Sequence, residues 1–204
     1  VIKRKLLDSI EQFLDDYPGM SIVSNTESDV CLRGNFRFKA ICSEGAEIED
    51  KYKIEIVISD NFPAVLPTVK ELAGKITYKA ASGHLFSDNS FCLGSPLRLK
   101  KIIYQNPNLS WFASKCIVPF LYAVSYKIEN GGDLIFGELA HGNKGIIEDY
   151  IDLFDLKDQG QVVKALELLG VKKRIANKRP CPCGCGKKLG ECSFHYKLNE
   201  FRKL

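Results

Sequence analysis

Two runs of alternating residues constrain this chain more than any other feature. Phe36, Phe38, Ala40 and Cys42 alternate with Arg37, Lys39 and Ile41, and Tyr52, Ile54, Ile56 and Ile58 alternate with Lys53, Glu55 and Val57. A period of two belongs to a strand with one face buried. Ser43-Glu44-Gly45 lies between the runs as a turn candidate, so they should pair as antiparallel neighbours in a meander.

The flanks follow a helical period. Leu6, Leu7, Ile10, Phe13, Leu14 and Tyr17 predict an amphipathic helix over 3–17, stopped by Pro18-Gly19. After the strands, Pro63 and Pro67 exclude a central strand and make a stiff crossover, followed by a short strand at Thr68–Leu72. Residues 108–129 predict a helix kinked at Pro119 and stopped at Gly131-Gly132. Two more are expected at Ile146–Leu156 and at Gln159–Leu169, the latter capped by Asp158 and ended by Gly170. Strands segregated from helices indicate an α+β fold.

Between the short strand and the long helix lies Ser82-Gly83-His84-Leu85-Phe86-Ser87-Asp88-Asn89-Ser90-Phe91-Cys92-Leu93-Gly94. A cysteine between two small polar clusters is poorly placed for a core and well placed as an accessible thiol, with thiolate as the nucleophilic form. Cys31, Cys42 and Cys116 fall on strand or helix patterns and are expected inside. His141, in Gly137-Glu138-Leu139-Ala140-His141-Gly142, fits a helix terminus or turn better than an approach to the cysteine loop. Arg98-Leu99-Lys100-Lys101 reads as a basic patch that could dock a partner.

No apolar run approaches a membrane span, and the basic N-terminal residues lead into acidic ones rather than a cleavage site. A soluble, cytoplasmic protein is expected. The net charge of +4 does not call for nucleic acid as a partner. The remaining cysteines crowd the last 24 residues: Cys181, Cys183, Cys185 and Cys192. Alternate-residue cysteines in a non-secreted chain point to metal rather than disulfides.

The order helix, meander, proline crossover, cysteine loop and helices resembles a ubiquitin-conjugating enzyme over roughly residues 1–130. Phe62-Pro63 and Pro67 match the family's Tyr-Pro-x-x-Pro-Pro crossover, with Leu66 replacing one proline. Cys92-Leu93 matches the thioester cysteine and the Leu after it. His84, eight residues earlier, takes the place of the Asn in the family's His-Pro-Asn, and Ser82-Gly83 replace His-Pro. The tryptophan usual soon after the cysteine is missing; Trp111 comes much later. The resemblance implies that Cys92 carries an acyl group and that His84 acts as an oxyanion donor, as a base, or as neither. Among bacterial relatives the chain is similar to the stand-alone conjugating enzymes of short type II anti-phage cyclic-oligonucleotide signalling (CBASS) operons. The implied partner is a cGAS-like nucleotidyltransferase, joined through its C-terminus.

The tail resembles the zinc motif at the C-terminus of SecA, Cys-x-Cys, eight residues, then Cys followed by Cys or His. Cys181, Cys183 and Cys192 match. Residue 193 is Ser, so the expected fourth ligand is His195, which completes a Cys-x2-His, with Cys185 as its competitor. Four protein ligands imply a structural Zn2+ rather than a catalytic one, and metal binding would supply this short segment's folding energy. The expected organisation is a conjugating domain over 1–170, with 131–170 as a helical extension, then a basic linker and zinc tail over 171–204. The alternative to an enzyme is a non-catalytic adaptor, as in the variants of this fold and the RWD-type domains that lack the cysteine.

Overall fold

The computed structural model describes residues 4–26, 28–42, 46–81, 83–135 and 142–204. The chain divides into two compact units: Val1–Gly94 with Ile102–Glu138, and Ser95–Lys101 with Leu139–Leu204.

The first unit is built on a four-stranded antiparallel sheet in the order β1 (Met20–Asn25), β2 (Asp29–Ile41), β3 (Glu47–Ser59) and β4 (Thr68–Glu71). The alternation sets the pairing. β2 and β3 run in unbroken register from Asp29 opposite Ser59 to Ile41 opposite Glu47. That register puts Val30, Leu32, Phe36 and Phe38 on one buried face with Ile48, Tyr52, Ile54, Ile56 and Ile58. The turn candidate Ser43-Glu44-Gly45 lies outside the described residues. Helix α1 (Arg4–Asp16) buries Leu6, Ser9, Ile10 and Phe13, the stripe its period predicts. The chain then turns into β1, where a Cβ on Gly34 would collide with the Gly19 carbonyl, so the close crossing of β1 and β2 requires glycine.

The long helix after the loop departs from expectation. It comprises α3 (Leu109–Phe112), a π-helical turn at Ala113–Ile117, and α4 (Val118–Asn130). Pro119 falls in the first turn of α4 and has no N–H to donate. The wider turn just before it takes up the mismatch, with the Val118 N–H reaching the Ala113 carbonyl five residues back. Asn108 caps α3 by accepting from the N–H groups of Ser110 and Trp111. Gly131, at φ 71°, ends α4.

The second unit is helical. The Arg98-Leu99-Lys100-Lys101 patch lies on an unforeseen helix, α2 (Pro96–Gln105), whose first turns belong to this unit and whose remainder belongs to the sheet unit. Arg98 is not free to dock a partner: its guanidinium binds Asp149 at 2.5 Å and Asp152 at 2.7 Å. Asp149, itself buried, also accepts from the Ser95 hydroxyl. Helix α5 (Gly142–Phe154) is followed by α6 (Gln159–Leu169), where Asp158 caps as expected, accepting from the Gln161 N–H at 2.9 Å.

Residues 171–180 are not a linker. They contain a short helix, α7 (Lys173–Ala176), with Ala176 wholly buried. Tyr150, Phe154, Val162, Ala165 and Leu168 share one core with Ala176, Cys181, Leu189, Phe194, Leu198 and Phe201, the last three on α8 (Phe194–Phe201). The helices over 142–169 therefore pack with the tail rather than extending the sheet unit. The reason is apolar area: the tail has Leu189, Leu198 and Phe201 to bury, and α5 and α6 present the matching surface. Arg202 fastens the arrangement by donating to the carbonyls of Leu168, Leu169 and Val171, which cap the end of α6. No helix among the described residues is long and apolar enough to cross a membrane.

Candidate active-site loop and metal centre

Residues 84–92 form a small hairpin. Leu85 and Phe91 face each other across it, flanked by hydrogen bonds from Phe86 N–H to Ser90 C=O and from Cys92 N–H to His84 C=O, both 2.9 Å. The connection is Ser87-Asp88-Asn89. Asn89 takes a left-handed conformation, φ 61°, at the point where a three-residue hairpin loop needs one, and Asn tolerates it better than most residues. The returning arm attaches to the sheet: Phe91 N–H donates to the Val69 carbonyl at 2.8 Å, and Ser90 bridges to Lys70. Asp88 pins the tip. It accepts from the Ser90 N–H and hydroxyl and pairs with Lys70 at 2.8 Å. The Lys70 ammonium and the Ser90 donors hold the Asp88 carboxyl well below the usual range. Phe91 is buried, its ring 4.6 Å from that of Phe120.

This pairing makes His84 and Cys92 cross-strand partners. One backbone bond joins them, since the His84 N–H donates to the Ala81 carbonyl at 2.8 Å rather than back to Cys92. Cys92 is half-buried. Burial pushes its thiol up from the ordinary value, and the Gly94 backbone acts weakly in the other direction. His141 and Ser82 lie outside the described residues. Cys116 is buried as expected, its thiol pushed up to about 12 by burial. Cys31 and Cys42 are not interior: both are half-buried. Cys31 occupies the sheet face opposite Val30 and Leu32, and burial together with the Glu55 carboxylate raises its thiol. A groove of about 530 Å³ in the same unit is lined by Tyr17, Arg37, Asn108 and Trp111 and does not include Cys92.

In the second unit the sulfurs of Cys181, Cys183, Cys185 and Cys192 all lie within 4.8 Å of one another and could hold a metal ion. Cys181 to Cys183 is 3.2 Å and Cys183 to Cys192 is 3.7 Å. Sulfurs at about 2.3 Å from a central zinc would be separated by about 3.8 Å, so the spacing fits a tetrahedral thiolate site. The local fold explains it. Cys181 N–H donates to the Lys187 carbonyl at 2.9 Å, and Pro180 bridges to Lys188. Gly184 and Gly186, at φ 80° and 76°, turn the chain tightly enough to bring Cys185 back. The Phe194 N–H points at the Cys192 sulfur, 3.5 Å away, and draws that thiol down to about 7, whereas burial raises Cys181 and Cys183. A cation among the sulfurs would favour the thiolate form of all four.

His195 is not in this group. Its Nδ1 is 2.7 Å from the Cys192 carbonyl oxygen, and its ring packs on Tyr196. Cys185, and not His195, completes the group of four sulfurs that could hold an ion. The alternation Cys181-x-Cys183-x-Cys185 carried that signal, since two glycine turns allow every second cysteine to point inward.

Against known families, curated proteins and solved structures, the chain gives no significant match to any of the three.

Proposed function

We propose that the protein is a ubiquitin-conjugating-enzyme-like acyltransferase with Cys92 as its nucleophile. The observation that carries this reading is the hairpin that pairs His84 with Cys92, anchored to β4 after a helix and a four-stranded meander. In this reading the Cys92 sulfur attacks the activated C-terminal carbonyl of a partner protein. A C–S bond forms and the bond to the activating group breaks. An amine then attacks the thioester, and Cys92 leaves as thiolate. The raised Cys92 thiol means that its proton must go to a base, and His84, joined to Cys92 by a backbone hydrogen bond, takes that role in this scheme. The partner suggested by the family resemblance is a cGAS-like nucleotidyltransferase in bacterial anti-phage signalling, which sets the reaction in the cytoplasm.

Four sulfurs from one chain form a closed donor set, and we assign it to a structural Zn2+. Cys181, Cys183, Cys185 and Cys192 would hold the ion, which would fix the loop carrying them against the helical core.

The same raised thiol favours a second reading, a non-catalytic adaptor that binds a protein through this loop. The deciding experiment is a search for a thioester between Cys92 and the C-terminus of the nucleotidyltransferase. A hydroxylamine-labile adduct, lost in Cys92→Ala, supports the enzyme; stable binding without an adduct supports the adaptor.

A further inference from the structure

The net charge of +4 conceals a strong asymmetry. Residues 171–204 hold ten Lys and Arg against two Asp and Glu, an excess of eight positive charges, so residues 1–170 carry an excess of four negative charges. Seven of those cations, Lys172, Lys173, Arg174, Lys178, Arg179, Lys187 and Lys188, are exposed, and none makes an ion pair with a described residue. Glu191, an acidic residue of this segment, is exposed and makes no ion pair with a described residue either, while Asp149 and Asp152 of the same unit bind Arg98 and Asp155 faces Lys197.

The backbone gathers these cations. From Lys172 to Arg179 the chain turns helically, with Asn177 N–H to Lys173 C=O at 2.9 Å and Arg179 N–H to Ala176 C=O at 3.0 Å. It then forms one arm of the cysteine hairpin. Leu189 N–H donates to the Arg179 carbonyl at 2.8 Å, and Pro180 faces Lys188. In this register Arg179 lies opposite Leu189, one residue along from the Pro180–Lys188 pair, so Arg179 and Lys188 are diagonal neighbours across the hairpin. Gly190 seals the contact: a Cβ there would lie 3.0 Å from the Asn177 Cβ. The cations stand on a fixed platform around the four cysteines.

From this platform we infer a binding surface for the phosphodiester backbone of nucleic acid, without base readout. Unpaired lysines held at fixed spacing suit a regular array of phosphates. A protein partner fits less well, because interface cores are depleted in lysine and built on aromatic and aliphatic anchors. Across 171–190 the exposed large apolar residue is Ile175 alone, at 41%. Helix α7 has four residues, too short to fill a major groove, which argues against sequence recognition. This inference is independent of the proposed acyl transfer.

Fluorescence anisotropy of the full chain with labelled 20-nucleotide RNA and a 20-base-pair DNA duplex tests it. Five phosphate contacts would give a slope of log affinity on log salt near −4.5 on duplex, a loss of roughly 500-fold between 50 and 200 mM salt. The combined variant K178Q/R179Q/K187Q/K188Q, with metal content retained, should weaken binding at least tenfold and flatten the slope. A control carrying K5Q/K51Q/K53Q/K79Q should not. Absence of wild-type binding at 50 mM salt, or binding unchanged in the first variant, would overturn the inference. If that variant loses its metal, the wild-type slope decides, since a slope shallower than −2 excludes such a surface. Equal competition by poly-L-glutamate would assign the surface to an acidic protein instead.

Discussion

The Cys92 N–H donates to the His84 carbonyl at 2.9 Å, so the two residues face each other across one rung of a hairpin. Their separation in sequence is a consequence of hairpin geometry. Three loop residues and two short arms bring positions 84 and 92 into register.

In single-turnover transfer, Cys92→Ala should give no adduct, and Cys92→Ser should trap an oxyester. If His84 acts on the reacting atoms, His84→Ala should slow transfer by roughly a hundredfold with partner affinity intact. Recovery in His84→Asn would assign a hydrogen-bond donor rather than a base. A loss of binding and melting temperature together, in both His84 variants, would reduce the residue to a loop anchor.

Thiol alkylation read by peptide mass spectrometry should separate the body cysteines. Cys116 should stay unlabelled in the folded protein. Cys31, Cys42 and Cys92 should all label, because all three are half-buried. Thiolate is the reactive form, and burial raises the Cys92 thiol. Its labelling should therefore be slow at pH 7 and accelerate by up to about tenfold per pH unit towards alkaline pH. A rate at Cys92 that is flat above pH 7 would contradict the raised thiol.

Metal analysis should give one zinc per chain, lost in Cys185→Ser and kept in His195→Ala. Because Cys181 and Leu189 share a core with Phe154, Leu168 and Phe201, chelation should loosen α5, α6 and α8, and not the tail alone. Hydrogen exchange should also rise over 95–101, which packs in the same unit through Arg98 and Ser95. The strands over 29–59 should keep their protection. Retention of metal by Cys185→Ser would return the fourth position to another ligand.

A polar clasp in the sheet unit gives a test of stability. The Tyr52 hydroxyl is 2.7 Å from Ser125 Oγ, which donates to Asp50 at 2.8 Å, and Lys75 binds the same carboxylate at 2.5 Å. Ser125→Ala leaves the buried Tyr52 hydroxyl without this partner and should cost about 1–3 kcal/mol by denaturant unfolding. Burial alone would raise the Asp50 carboxyl, but the bonds from Lys75, Ser125 and the Lys51 N–H outweigh it and hold it below its ordinary value. A depressed carboxyl contributes its stability above the unfolded value, near about 4, and loses it as pH falls through the folded value. The stability gap between wild type and Asp50→Asn should therefore be full at neutral pH and close in acid. A gap that widens below pH 4 would contradict this sign.

The sequence determined what depends on local period and local chemistry. The alternation in 36–42 and 52–58 specified two paired strands, because a one-residue slip would turn Phe36 and Ile54 out of the core. The stripe from Leu6 to Tyr17 specified α1, Asp158 specified the start of α6, and the crowding of cysteines after 180 specified a metal-competent cluster. What only the tertiary structure decided involves partners far apart in the chain. Arg98 reads as a free cation until Asp149 and Asp152, fifty residues on, neutralise it. Cys31 reads as interior until strand pairing shows which face of β2 is covered. Cys185 joins the other three sulfurs because Gly184 and Gly186 adopt positive φ, a freedom that sequence permits but does not impose. The helices over 142–169 join the tail because apolar surface is buried wherever complementary area lies, and burial takes no account of sequence distance.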